Sequence, residues 1–316
     1  MSVLRDALKE YVLMRRSFGT MLHEPANTLN QFVDFLEEEG SDFITTDLAL
    51  RWAIRPVGVQ RATWARRLSM IRLFARWWST FDSRTEVPPC GILRAARRRR
   101  KPYIFTDLEV EAIMAEAACL RSPRGLRALS HVTLFGLLSS TGLRPGEALA
   151  LDRDDVDLHS GVLTVRETKF GKSRFVPVEE STRTALANYA DRRDHLDPKR
   201  QTAAFLVSER GTRLPACASR RTFIGICCTV GLRAELAQGR IGPGPRLQDF
   251  RHTFVTRRLV EWYRAGLDVE REMPKLVTYL GHAEAHRTYW YIEAIPELLQ
   301  LATNRLVAQE EEEWHQ

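Results

Sequence analysis

Residues 162–178 read Val162-Leu-Thr-Val-Arg-Glu-Thr-Lys-Phe-Gly-Lys-Ser-Arg-Phe-Val-Pro-Val178. Two runs rich in β-branched and apolar residues, Val162 to Arg166 and Arg174 to Val178, flank a turn holding Thr168, Lys169, Phe170, Gly171 and Lys172, which is the pattern of a β-hairpin. The sequence around it reads as helix. Thr106-Asp-Leu-Glu-Val-Glu has the form of a helix start, a buried helix is predicted from His131 to Ser140, and the chain from Ser219 onward is mostly helical. Ala204 to Val207 and Gly211 to Leu214 read as one further short strand and its return. One hairpin and a few short strands among helices predict a mainly α fold with a small β-sheet.

Composition sets the frame. The chain has 316 residues, 44% hydrophobic and 28% charged, which is a globular composition that excludes collagen, disorder and small disulfide scaffolds. Its length favours two domains. The longest apolar stretch, near Val132 to Leu138, is far shorter than the roughly 20 residues that span a bilayer, and charge appears by Arg5, too early for a secretory signal. A soluble, cytoplasmic protein without a membrane association is expected. Cys90, Cys119, Cys217, Cys227 and Cys228 show no ligand-like spacing, so no disulfide framework or zinc site is indicated, and buried small hydrophobes are expected.

Charge is distributed unevenly. Residues 1–103 hold 18 Lys and Arg against 11 Asp and Glu, so they carry the whole net charge of +7, while the rest is balanced. A basic module joined to a neutral one predicts a polyanionic partner, with nucleic acid favoured over a membrane surface. Within this module Asn27 or Thr28 is expected to cap a helix through Phe32, Phe35 and Leu36 that ends near Gly40. A longer helix, from about Val59 to Phe81, places Trp64, Leu68, Ile71, Ala75 and Trp78 on one face and Arg61, Arg72 and Arg76 within about 60° of one another on the next. A solvated basic face would explain one such helix; with the charge asymmetry, phosphate contact explains it better. Pro-Pro-Cys-Gly and then Arg94, Arg97, Arg98, Arg99, Arg100 and Lys101 read as a basic interdomain linker. The expected organisation is therefore a helical DNA-binding domain at 1–88, a linker at 89–103, a second domain at 104–307 and an acidic tail at 308–316.

No Walker loop, GxGxxG, GxSxG or magnesium-type carboxylate cluster is present, so neither a cofactor nor a metal is called for. Polyanion chemistry would then rest on cations and a side-chain nucleophile. Four segments offer candidates: Thr141-Gly-Leu-Arg144-Pro-Gly-Glu147-Ala-Leu149; the hairpin with Lys169; Arg246-Leu-Gln248-Asp-Phe-Arg251-His252-Thr-Phe254; and Leu280-Gly-His282-Ala-Glu-Ala-His286-Arg-Thr-Tyr289-Trp-Tyr291. Singly, each has an ordinary explanation: Arg144 a surface arginine, Lys169 a turn lysine, Arg251 half of an ion pair, His282 a satisfied core histidine, Tyr291 a core aromatic. His282 and His286 have a metal-compatible spacing, but no third ligand accompanies them.

Together and in this order the four segments resemble the tyrosine recombinase (phage integrase) family. The resemblance covers nearly the whole chain: residues 1–88 are similar to the family's helical core-binding domain and residues 104–307 to its mixed α/β catalytic domain. TGLRPGEALAL is similar to the first arginine box, and TKFGKSRFVPV to the lysine hairpin, with Lys169 at the catalytic position and Lys172 as the lesser candidate. DFRHTF is similar to the second arginine box. LGH is followed nine positions later by Tyr291, the family's nucleophile spacing, which selects Tyr291 over Tyr289. The ending TYWYIEAIPELL further resembles transposon-encoded members.

The resemblance implies a site-specific DNA recombinase, integrase or tyrosine transposase that cuts and rejoins double-stranded DNA through a 3′-phosphotyrosine and a Holliday junction. It also implies a homo-tetramer on two DNA sites, with accessory recombinases as further possible partners and location on the nucleoid when DNA-bound. By the same carry-over, Arg144 and Arg251 clamp phosphate, Tyr291 attacks, Lys169 protonates the leaving 5′-oxygen, His282 donates to phosphate or assists the tyrosine proton, and Glu147 orients the cations. His252 is expected to support Arg251 by packing. One position departs from the pattern: Gln248 stands where the family usually has histidine, and glutamine can donate a hydrogen bond but cannot exchange a proton near neutral pH. That departure keeps a second expectation open, a DNA-binding accessory protein with a decayed site, and a third alternative is a monomeric, topoisomerase-like type IB enzyme.

Overall fold

In a computed structural model the described residues are 3–19, 22–94, 101–166, 173–198, 202–236, 240–281, 298–300 and 303. The chain divides into two compact units, Met1–Arg100 and Lys101–Gln316, and the division falls inside the basic segment 89–103.

The first unit consists of α1 (Val3–Ser17), α2 (His23–Glu38), α3 (Thr46–Ile54) and α4 (Arg61–Trp78). Leu4, Leu8, Phe32, Leu36, Trp52, Ile71 and Phe74 meet in one core, each 3% exposed or less. Phe32 packs edge-on against Trp52 at 5.3 Å, and Tyr11 packs against Phe74 at 5.4 Å. The start of α2 differs from expectation. It begins at His23 rather than at an Asn27 or Thr28 cap, with Leu22 in a left-handed conformation (φ 43°) and accepting from Ala26 N. Pro25 explains how this is possible: a first-turn residue has no intrahelical acceptor for its N–H, so a missing donor costs nothing there. α4 spans most of the stretch expected for it.

Near the start of the second unit the N–H of Phe105 donates to Thr253 Oγ1 at 2.9 Å, and α5 (Asp107–Ala118) follows. Thr106 and Glu109 cap α5 reciprocally, as the sequence pattern predicts. α6 (Leu126–Thr141) starts five residues before the expected His131 and ends at Gly142, whose φ of 61° is the left-handed helix stop that glycine accepts most readily. α7 (Pro145–Ala150) follows immediately.

The small sheet has order β1-β2-β3, all antiparallel: β1 (Val156–Asp157), β2 (Val162–Val165) and β3 (Arg174–Pro177). Val162 is opposite Pro177 and Val165 opposite Arg174, the antiparallel register of the two arms of a hairpin. Beyond it lie α8 (Glu180–Leu196), α9 (Ala216–Thr229), a two-stranded ribbon of β4 (Glu235–Leu236) and β5 (Arg240–Ile241), α10 (Gln248–Arg264) and α11 (Val269–Leu280). The strand and return expected at 204–214 reduce to single bridges, Asp152 with Ala204 and Val207 with Arg213.

Four phenylalanines set α10 in place. Phe250 stacks on Phe105 at 4.8 Å and lies 5.7 Å from Phe223 and 6.1 Å from Phe135. Burying side chains of this size dominates the local energetics, at about 1.5–3 kcal/mol each. Because Phe250 faces the core, the next residue, Arg251, is rotated by about 100° to a neighbouring side of the helix. The cysteines depart from expectation: Cys227 is buried, with its thiol pushed up to about 12 by burial, but Cys90, Cys119 and Cys217 are exposed. No helix among the described residues is long and apolar enough to cross a membrane.

Candidate active site

The site is built on helix ends. Gly142 closes α6, Leu143 is buried at 1% exposure, and Arg144 precedes α7 with Pro145 in the first helical position, where a fixed φ suits the helix. Three residues on, Glu147 reaches back so that Oε2 accepts from Arg144 N at 3.0 Å and Oε1 from Arg144 Nη1 at 2.6 Å. The sequence TGLRPGE therefore brings an arginine and its carboxylate together through contacts only three residues apart.

Two further arginines converge there. Arg174, the first residue of β3, donates from Nη1 to Glu147 Oε1 at 3.2 Å and from Nη2 to Oε2 at 2.8 Å. Arg251, 1% exposed, donates from Nη1 to Gly142 O at 2.9 Å and from Nη2 to Leu280 O at 2.7 Å. It thus joins the C-termini of α6 and α11. Carbonyls at a helix C-terminus lack intrahelical partners and carry the negative end of the helix dipole, so a guanidinium is a favourable partner for them.

Successive carbonyls at the end of α11 each take a different arginine. Tyr279 O accepts from Arg174 Nε at 2.9 Å, Leu280 O from Arg251 Nη2, and Gly281 O from Arg144 Nη2 at 3.4 Å. Two of these guanidiniums, Arg144 and Arg174, also meet one carboxylate, Glu147, so the three arginines outnumber the acid at this helix end. Burial alone would raise the Glu147 carboxyl, yet the guanidinium of Arg174, followed by the backbone and side chain of Arg144, holds it below the ordinary carboxylate range. Glu147 is thus an anion that accepts four hydrogen bonds.

Two glycines permit this approach. A Cβ on Gly142 would lie 2.5 Å from Phe254 Cδ1, and one on Gly281, at φ 64°, would lie 2.8 Å from Arg174 Nη1 and 3.0 Å from its Cζ. Phe254 in turn stacks on Tyr279 at 5.8 Å, tying α10 to α11. Burial pushes the Tyr279 phenol up to about 12, so it stays protonated; its hydroxyl donates to Pro177 O at 3.4 Å. This tyrosine is a packing element.

Of the expected residues, Arg144, Glu147 and Arg251 come together. Gln248 is the first residue of α10, half-buried, and among the described residues its amide makes no hydrogen bond. His252 pairs with the buried Asp249, with Nε2 3.8 Å from Oδ1, and Asp249 also accepts from Arg246 N at 2.7 Å. Lys169, Lys172, His282, His286, Tyr289 and Tyr291 lie outside the described residues, as do Arg97, Arg98, Arg99 and Arg100. The sequence reading missed Arg174. Its signal was available, a lone arginine inside the quoted hairpin box, but alternation along a strand marks it only as polar.

In the first unit Arg61 and Arg76 are exposed on α4, and Lys101 is exposed at the start of the second unit. Arg72 is engaged within its own unit, donating from Nε to Pro88 O and from Nη2 to Pro89 O, both at 2.7 Å. Among the described residues no group of three His, Cys, Asp or Glu is placed to hold a metal ion.

The arrangement, a cluster of arginines at helix ends with a small hairpin packed on them, is the catalytic-domain fold of tyrosine recombinases. The backbone is similar to that of the Tn1549 transposon integrase in complex with transposon right end DNA, with a TM-score of 0.64 over 95% of this chain and 99% of that one, at 17% identity. It is also similar to a lambda integrase dimer bound to a core site, with a TM-score of 0.56 over 91% and 76% of the two chains, at 18% identity. The sequence is 42% identical over 310 residues to y4rB of Sinorhizobium fredii, described as an integrase/recombinase, covering 97% of this chain and 98% of that protein. It is 29% identical over 291 residues to the tyrosine recombinase XerD of Neisseria meningitidis, covering 91% and 92%. Residues 104–297 match the model of the phage integrase family, and the chain belongs to that family.

Proposed function

We propose that the protein cuts and rejoins double-stranded DNA in site-specific recombination or tyrosine-dependent transposition, through a 3′-phosphotyrosine on Tyr291. The observation that carries this reading is the convergence of Arg144 and Arg251 on the carbonyls of Leu280 and Gly281, directly before His282 in the chain. Attack on a phosphodiester builds negative charge on the non-bridging oxygens. Arginines held rigidly by backbone carbonyls meet that charge without reorganising. Arg144 and Arg251 are the clamp, and Arg144 is the more open of the two, with 35% of its side chain exposed.

In this reading the Tyr291 oxygen attacks phosphorus, a phosphotyrosine bond forms, and the bond to the 5′-oxygen breaks. Lys169 gives the leaving oxygen its proton, and His282 assists at the tyrosine or a phosphate oxygen. The stored phosphodiester makes rejoining the reverse of cutting. Homologues and structural neighbours include recombinases and integrases, several in DNA complexes, which supports double-stranded DNA as the substrate. A homo-tetramer on two sites, a Holliday junction and accessory recombinases belong to the same proposal. So does the organisation of a DNA-binding domain at 1–88, a basic linker at 89–103 and a catalytic domain at 104–307. Arg61, Arg76, Arg97, Arg98, Arg99, Arg100 and Lys101 would contact phosphate.

A second reading rests on Gln248, which cannot exchange a proton in the position where the family usually places histidine. It makes the chain a DNA-binding accessory protein without cleavage. The test is a nicked duplex bearing the sequence that the protein enriches from a randomised duplex pool, with the nick placed so that the 5′-hydroxyl fragment diffuses away after attack. A covalent adduct with the parent and none with Tyr291→Phe is the expected result. An adduct that persists in Tyr291→Phe and disappears in Tyr289→Phe would reassign the nucleophile. A parent that binds but never forms an adduct would leave the accessory reading.

A further inference from the structure

We propose that Arg174 is a positioning residue for strand cleavage, one that locks the root of the lysine-bearing hairpin to the arginine clamp and to the end of α11. The proposal rests on the cleavage reading above and adds a residue to it.

Three segments meet at this side chain. Its backbone is the first residue of β3, so it lies at the foot of the hairpin, five positions after Lys169 in the sequence. Its two terminal nitrogens take both oxygens of Glu147, whose other contacts are the backbone and guanidinium of Arg144. Its Nε takes Tyr279 O, two positions before the carbonyl that receives Arg144. Gly281 lies close to the guanidinium, so that an added Cβ would fall 2.8 Å from Nη1. All three nitrogens are committed and only 10% of the side chain is exposed. What it controls is where others sit: the strand that leads out of the Lys169 turn, the carboxylate that aims Arg144, and the helix end that precedes His282.

Only a planar fork with an additional donor at its base can do this. A lysine ammonium can reach Glu147 or Tyr279 O, but it cannot hold the bidentate pair and the carbonyl in fixed relative geometry. Displacements near 1 Å of groups that must align at a reacting phosphate lower rates by about a hundredfold. A residue that only stabilises the fold acts otherwise. Its loss reduces the fraction of active molecules and leaves the rate constant of the remaining ones unchanged.

The test uses the full chain and the nicked duplex described above, with R174M and R174K. Single-turnover adduct formation at saturating duplex yields an amplitude and a rate constant, and duplex affinity is measured separately. R174M is expected to bind with an affinity within a few-fold of the parent and to form adduct about a hundredfold more slowly. R174K, which keeps the charge and protects against a failure of R174M to fold, is expected to show parental affinity and an intermediate rate constant. A rate constant equal to the parent's in R174K, with or without loss of amplitude, would overturn the proposal while leaving the cleavage reading intact. A parent that forms no adduct would overturn both together.

Discussion

Arg174 and Glu147 form a two-point ion pair in which each side chain is only 10% exposed, and the shorter contact, Nη2 to Oε2, is 2.8 Å. Arg144 completes the arrangement from the other side at 2.6 Å. Removing one partner of such a pair leaves a buried charge without its counterion, which costs about 3–5 kcal/mol. Glu147→Gln keeps the shape and loses the charge, so a cost near the lower end of that range is expected. It should appear as faster hydrogen exchange in α7 and at the end of α11.

The same carboxylate gives a pH dependence of defined sign. Its folded-state pKa is held down by Arg174 and Arg144 against the opposing effect of burial. Stabilisation from the pair is therefore fully present above the unfolded value of about 4.3 and is lost as pH falls through the depressed folded value. The parent should lose protection in α7 and α11 on acidification below about pH 4.3, and Glu147→Gln should show a shallower loss there. Equal slopes for the two proteins would show that the pair contributes nothing to acid sensitivity.

Gly281 and Gly266 separate steric from conformational cost. Both have positive φ, at 64° and 68°, but a Cβ on Gly266 meets nothing within 4 Å, whereas one on Gly281 meets Arg174. Gly266→Ala is expected to cost only the left-handed conformation, about 1–2 kcal/mol. Gly281→Ala should cost more and should also slow adduct formation, because relief of the clash moves Arg174 away from Glu147 or Tyr279 O. Matching stability and matching cleavage in the two variants would remove the steric part of this account.

The sequence made some of this legible and hid the rest for physical reasons. TGLRPGE encodes its own geometry, since glycine ends α6, proline suits the first position of α7 and a carboxylate three residues after Arg144 returns to it; such short-range rules are readable directly. The hairpin was readable from two β-branched and apolar runs, Val162 to Arg166 and Arg174 to Val178, flanking a turn-like stretch. Arg174 was not, because its partners are Glu147 and Tyr279, distant in sequence, and its strand position carries no mark of burial. The start of α2 was misplaced because Asn27 and Thr28 are good caps in isolation, while Leu22 and Pro25 together allow an earlier turn. The third strand, β1, has only two residues, too few for a periodic signal.

The arginines of α4 are expected to divide by what they touch. Arg72 holds the carbonyls of Pro88 and Pro89, so Arg72→Ala should loosen the 88–89 segment, seen as faster exchange or proteolysis there. Arg61 and Arg76 are exposed, and among the described residues neither makes an ion pair. If they neutralise phosphates, replacing either with alanine should weaken binding to many sequences alike and reduce the salt slope by about 0.9 for each phosphate no longer neutralised. A slope unchanged by both substitutions would make this face a solvated one.

Gln248 stands where the resemblance to the family leads one to expect histidine, and three proteins decide its role. It begins α10 three residues before Arg251, at the helix end that carries the positive pole of the dipole. If it donates to a non-bridging oxygen in the transition state, Gln248→Ala should slow cleavage by no more than about 2.7–4 kcal/mol, the effect of removing one such donor. Gln248→His should then remain active, because imidazole also donates, and its rate should acquire a further dependence on pH near the reference value of about 6.5, beyond any that His282 gives the parent. The accessory-protein reading expects the opposite order: an inactive parent, and activity appearing only in Gln248→His. Adduct formation by the parent, Gln248→Ala and Gln248→His on the same nicked duplex, measured from about pH 4.5 to 8.5, roughly two units on either side of the imidazole value, distinguishes them. An adduct from the histidine variant alone would mean that this chain binds DNA and has lost the chemistry of its family.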